Sequence, residues 1–195
     1  MTDQTPEHAH WSKVAPLPAA ELVTPEIIAL VTRVSAEDDP GEWDELDLVA
    51  ATSTGSADAD AWFKAADAGD ASAMCMIAAW LVMQALLGSD DAAGLYETAE
   101  QWLCHAITLG SARACGDLGF VLIDCHEGVD DHLLGMCLLR IAAVAGNTIA
   151  MRNLGIVLTG EAEEGIEVDE AEGVVWLARA AKAGDYLAQE ITAEG

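Results

Sequence analysis

Basic residues are what this 195-residue chain most lacks: 8 Lys and Arg stand against 34 Asp and Glu, for a formal net charge of -26. Neutralising nucleic-acid phosphates takes clustered Lys and Arg, so direct nucleic-acid binding is not expected. Phe and Tyr are scarce as well, at 2 each, whereas Ala occurs 37 times. A core of such small side chains suits closely approaching helices and argues against a β-rich fold. The first twenty residues hold Pro6, Pro16 and Pro18 and no apolar run that could form the core of an export signal, so a cytoplasmic location is expected. The five cysteines, Cys75, Cys104, Cys115, Cys125 and Cys137, are odd in number and come without an export signal, which argues against a disulfide framework. There is no P-loop, dinucleotide fingerprint or G-x-S-x-G elbow. No enzyme activity, cofactor or metal is implied.

Ala71 to Gly88 is free of charge, but it is short for a membrane span and is flanked by Asp67, Asp70, Asp90 and Asp91 rather than by basic residues. A soluble role is therefore expected for it. High charge alone would suggest disorder, yet 52% of the residues are hydrophobic, enough to build a core.

Two regions differ in texture. Residues 1–57 read as an extension: a Pro-rich lead, then a helix over 25–36 with Thr24 as N-cap and Pro25 at its first position. A second amphipathic helix is predicted around Trp43, Leu46, Val49 and Ala50. From residue 58 the chain repeats itself. Ala65-Ala66-Asp67-Ala68-Gly69-Asp70, Ala106-Ile107-Thr108-Leu109-Gly110-Ser111, Ala142-Ala143-Val144-Ala145-Gly146-Asn147 and Ala180-Ala181-Lys182-Ala183-Gly184-Asp185 each lead to an Ala four places after the glycine. Ile77-Ala78, Leu118-Gly119 and Leu154-Gly155 follow eight and nine places after the first three glycines. Intervals of 41, 36 and 38 residues between the glycines are those of helical-hairpin repeats. The glycine is expected to end one helix in the left-handed conformation, with the next Asp, Ser or Asn capping the following helix. Trp62, Trp102 and Trp176, with Leu138 and Leu139 in the third repeat, are expected to fill the space between hairpins.

The pattern A-A-x-x-G-[DNS]-x-x-A-x-x-x-L-G, followed by a glycine-containing loop such as Glu127-Gly128-Val129-Asp130 or Glu164-Gly165-Ile166-Glu167, resembles the Sel-one-like repeat, a relative of the tetratricopeptide repeat. The resemblance spans residues 58–193. It implies an all-α, right-handed α-solenoid of antiparallel helix pairs, about four repeats long, that serves as a non-enzymatic scaffold or adaptor for protein partners. Secreted relatives staple each hairpin with a disulfide; here the matching positions hold Ala66, Ile107, Ala143 and Ala181, then Ala73, Ala114, Ala150 and Ala188.

Charge divides between the two kinds of turn. The long loops opposite the glycine turns carry Asp90, Asp91, Glu127, Asp130, Asp131, Glu161, Glu163, Glu164, Glu167, Asp169 and Glu170 and no Lys or Arg. Such an edge either solvates an Ala-rich protein and complements helix N-termini, or meets a basic partner. An acidic mimic of nucleic acid that blocks a DNA- or RNA-binding protein is the alternative function, and adaptation to a saline cytoplasm is a third explanation. In the resembling family the helix after the glycine lines the concave groove. Positions three, six, ten and thirteen after the glycine are then expected to face inward: Ser72, Cys75, Ala79 and Val82; Arg113, Gly116, Phe120 and Ile123; Ile149, Arg152, Ile156 and Thr159. This apolar groove with two arginines would suit a peptide bearing a carboxylate beside apolar anchors. Whether it is open to a partner, or covered by the chain's own residues 25–36 or by a second protomer, stays open at this point.

Asp124-Cys125-His126-Glu127 with Asp130, Asp131 and His132 gathers metal-ligand residue types, but their spacing fits neither a zinc site nor a calcium loop. Cys104 and His105 are adjacent on a helix and so diverge by about 100°, unsuited to a nucleophile and its base.

Overall fold

A computed structural model describes residues 23–37, 56–126, 128–160 and 166–194. The second amphipathic helix expected near Trp43, and Glu127, Glu161, Glu163 and Glu164, lie outside the described residues. Among the described residues the fold is all-α, with no strand. The helices are α1 (Pro25–Glu37), α2 (Ser56–Asp67), α3 (Ala71–Leu86), α4 (Ala92–Thr108), α5 (Ala112–Asp124), α6 (Val129–Val144), α7 (Thr148–Thr159), α8 (Glu170–Ala183) and α9 (Tyr186–Glu194). From α2 onward each helix packs on the next.

The glycine turns follow one design. Gly69, Gly110, Gly146 and Gly184 have φ of 91°, 94°, 103° and 110°, a region that side chains avoid. The backbone N–H after each glycine donates to the carbonyl five residues earlier: Asp70 to Ala65, Ser111 to Ala106, Asn147 to Ala142 and Asp185 to Ala180. This is the Schellman closure, so the Ala-Ala or Ala-Ile pair of each repeat supplies the acceptors that end its helix. The next residue caps the following helix, where Asp70 accepts from Ser72 and Ala73, Ser111 from Ala114, Asn147 from Ala150 and Asp185 from Ala188. Thr24 does the same for α1, accepting from Ile27 at 3.3 Å. In the long loops Asp91 and Asp169 cap α4 and α8.

Packing is tightest across the long loops, between α3 and α4, α5 and α6, and α7 and α8. Glycines explain how the last two crossings close so far. A Cβ on Gly119 would lie 2.8 Å from the carbonyl oxygen of Gly135, and one on Gly135 would lie 2.7 Å from that of Gly119. Gly155 and Gly173 meet in the same way, at 3.0 and 2.9 Å. Ala78 and Ala99 occupy the same register in the first crossing and are both buried. Around these contacts Trp102, Trp176, Leu138 and Leu139 are buried as expected, and Trp62 packs half-buried against the core. Phe63 meets Trp102 at a ring separation of 5.7 Å, tilted by 57°. Such tilted aromatic pairs add to simple area burial.

The N-terminal helix joins this body. Val31 of α1 is fully buried in the main core, with Val23 and Ile27 packed against it. Its neighbours are α4, α5 and α6.

Candidate functional site

Two surfaces follow from this arrangement: the row of post-turn helices α3, α5 and α7, which touch one another in sequence, and the edge formed by the long loops. On the row, residues ten places after the turn are exposed where they are large. Phe120 is 39% and Ile156 45% accessible, on adjacent helices at one register. Val82 and Ile123 are half-buried.

Residues six places after the turn do something else. Cys75 Sγ lies 3.8 Å from Ser111 Oγ, the site of a Cβ on Gly116 is 3.7 Å from Asn147 Oδ1, and Arg152 donates from an Nη to Asp185 Oδ2 at 2.9 Å. In each case the partner is the cap of the next turn. Cys75 is fully buried, and Arg152 is an internal ion-pair partner whose side chain keeps 18% exposure. Facing the groove is what the spacing predicts for these positions; Cys75 is instead buried and Arg152 is tied to the next cap. They are register contacts between one turn and the next, because the packing of successive hairpins lays each cap over them.

Arg113 is also engaged within the chain. Its Nε is 3.5 Å from Asp117 Oδ2, four residues on, and an Nη donates to Met76 Sδ at 3.6 Å. Arg140 donates to Glu172 at 2.8 Å, and Glu172 accepts from the Trp176 indole at 3.0 Å while Arg179 stacks 4.6 Å over that ring. Arg113, Arg140 and Arg152 therefore link helices to one another, and a carboxylate on a ligand would have to compete with partners already in place.

Two titratable groups are unusual. Asp117 Oδ2 is shielded from solvent although its side chain retains 32% exposure. Burial raises its pKa to about 6, against the lowering pull of Arg113. His126 bridges α4 to α6, with Nε2 2.8 Å from Glu100 and Nδ1 3.2 Å from Asp131. A neutral imidazole has one N–H and can serve only one of these carboxylates; the imidazolium serves both. Burial pulls the His126 pKa down, but Glu100 and Asp131 outweigh it and the net direction is up. The metal-type cluster of the sequence thus closes into an acid–imidazole–acid bridge, completed by Glu100 from 26 residues away. The buried thiols of Cys75, Cys104 and Cys115 are pushed up to about 12 by desolvation first, so none is a ready thiolate.

Both groups make stability depend on pH with the same sign. His126 has a folded pKa above its unfolded one, so its stabilisation is complete below about pH 6.5 and is lost as pH rises through the folded value. Asp117 prefers to fold protonated, so its penalty is absent below about 3.8 and fully present above about 6. Melting temperature should therefore climb as pH falls from about 8 to 5. His126→Gln should match the parent at high pH and lose its advantage at low pH. Asp117→Asn should gain about 1–2 kcal/mol at pH 8, after discounting for its partial exposure. A flat profile in thermal melts would contradict this reading.

On the long-loop edge Asp90, Asp130 and Glu167 are exposed, whereas Asp91 is a helix cap and Asp131 pairs with His126. No helix among the described residues is long and apolar enough to cross a membrane. The chain matches no protein-family model, and no curated protein matches it in sequence.

Proposed function

We propose that the protein is a non-enzymatic, cytoplasmic α-solenoid of the Sel-one-like kind that holds a protein partner against the groove formed by α3, α5 and α7. The observation that carries this reading is the pair Phe120 and Ile156, two large apolar side chains left exposed at one register on neighbouring helices. Aligned exposed apolar residues of this sort mark interaction surfaces. With Arg113 and Arg152 engaged internally, the partner's anchors here are apolar. Its basic residues face the acidic edge, where Asp90, Asp130 and Glu167 belong to successive loops.

The test separates the two contacts. Phe120→Asp with Ile156→Asp should abolish partner capture in an affinity purification read by mass spectrometry, without loss of fold, because both sites are exposed. Asp90→Lys, Asp130→Lys and Glu167→Lys together should slow association and weaken its salt dependence. An unchanged set of captured proteins for both variants would sink the proposal. The exposed acids also support a second reading, a nucleic-acid mimic. It requires that DNA compete for the captured protein and that salt weaken capture steeply.

A further inference from the structure

The seat of α1 extends the scaffold reading to a second surface. Helices α4 and α6 flank α5, and α1 rests against all three rather than along the α3, α5 and α7 row. Its seated side carries Ile27 and Val31, one turn apart, with Val31 wholly buried and Val23, just before the helix, packed against the same core. Its opposite face, Glu26, Ile28, Ala29, Thr32 and Arg33, is exposed. Its contacts to the body are few and divided among three helices, each of which is anchored chiefly by other helices. Eighteen positions, 38 to 55, separate α1 from α2 in sequence.

We propose that the notch between α4, α5 and α6 is a helix-binding site whose resident is α1. A partner's amphipathic helix of the same apolar spacing, with basic residues on its outer face, displaces it. The notch needs only apolar knobs at that spacing, which α1 itself supplies. The basic outer face follows from charge: a helix docking on a chain of net charge -26 is drawn in by cations and repelled by acids. Resident and incoming helix then compete for one seat, and the partner's apparent affinity is reduced by the fraction of molecules in which α1 is docked.

The proposal rests on the scaffold reading but is tested without any cellular partner. A labelled peptide of residues 21–37 is titrated into the full chain and into full-length Ile27→Asp/Val31→Asp, whose own α1 is undocked. Binding to the variant should be at least about tenfold tighter than to the parent, and a peptide carrying Ile28→Lys and Ala29→Lys should bind tighter still, a gain erased at about 0.5 M salt. Equal binding to parent and variant, no binding to a folded variant, or no gain from the lysines would overturn it. Should the variant fail to fold, hydrogen exchange on the parent decides instead. Amides of α1 should exchange at least about tenfold faster than those of α5, and faster again with excess peptide; α1 protected as well as α5 would overturn the proposal. Dimerisation that rises with concentration and vanishes in the variant would assign the notch to α1 of a second copy and likewise overturn it. The Phe120 and Ile156 substitutions lie on the other surface and should leave peptide binding unchanged, so failure of one reading is distinguishable from failure of the other.

Discussion

Gly135→Val should cost about 4 kcal/mol or more and leave little cooperatively folded protein. The added Cβ would fall 2.7 Å from the Gly119 carbonyl oxygen and 2.7 Å from Ile123 Cγ1. Ile123 could swing aside, but the carbonyl belongs to the backbone of a helix buried against its neighbours. Relief requires α5 and α6 to separate, and the crossing that would open is among the tightest in the molecule. With typical domains only about 5–15 kcal/mol more stable than their unfolded chains, one such opening removes much of the margin. Gly116→Ala, in the same helix as Gly119, is the control. There the nearest atom to a new Cβ is the Ala150 methyl at 3.4 Å, and the gain in helix propensity offsets the mild contact, so stability should stay within about 1 kcal/mol of the parent. Urea unfolding of the two variants checks the contrast; similar midpoints would show that the helices are not held at backbone contact.

Arg152→Ala is expected to cost about 3–5 kcal/mol at the C-terminal end. Asp185 is only 7% exposed, and its two oxygens divide their work, one accepting from the Ala188 N–H to cap α9 and the other from Arg152. Removing the guanidinium leaves a buried carboxylate with only the cap to satisfy it. Because α9 packs chiefly on α8, the damage should appear first as rapid hydrogen exchange through α9, with α3 to α6 still protected. Asp185→Ala should resemble it while also losing the cap. The double variant should be less destabilised than the sum of the two, by about 1–3 kcal/mol, since the pair acts as a unit. Additive losses would mean that the 2.9 Å contact contributes nothing of its own.

Local chemistry made part of this structure legible in the sequence. The four turns needed only Gly, an Ala-Ala or Ala-Ile pair three and four residues before it, and a following capping residue, all within six positions, and each has the expected form. Helix α1 could be read from Thr24 and Pro25 alone. What stayed hidden depends on which helix lies across from which. Gly119 and Gly155 stand at a recurrent position, but their opposite numbers Gly135 and Gly173 acquire meaning only once the crossing is known. The pairing of Arg152 with Asp185 spans 33 residues and that of His126 with Glu100 spans 26, beyond what helical spacing can reveal. Helical spacing on one helix puts Arg152 on the groove side, but its long side chain reaches the next cap, which spacing within one helix does not show. A signal was present all the same: Cys75 with Ser111, Gly116 with Asn147 and Arg152 with Asp185 each join the sixth residue after one turn glycine to the first residue after the next.

Those three turn-to-turn contacts also give the stack an uneven elasticity. The first joint is a thiol resting on a hydroxyl, the second a glycine under an amide, and the third a buried ion pair. A force that bends the molecule would have to break an ion pair at the third joint but no charged contact at the first two. The first two joints, rather than the third, are where its curvature should adjust to the shape of whatever it holds.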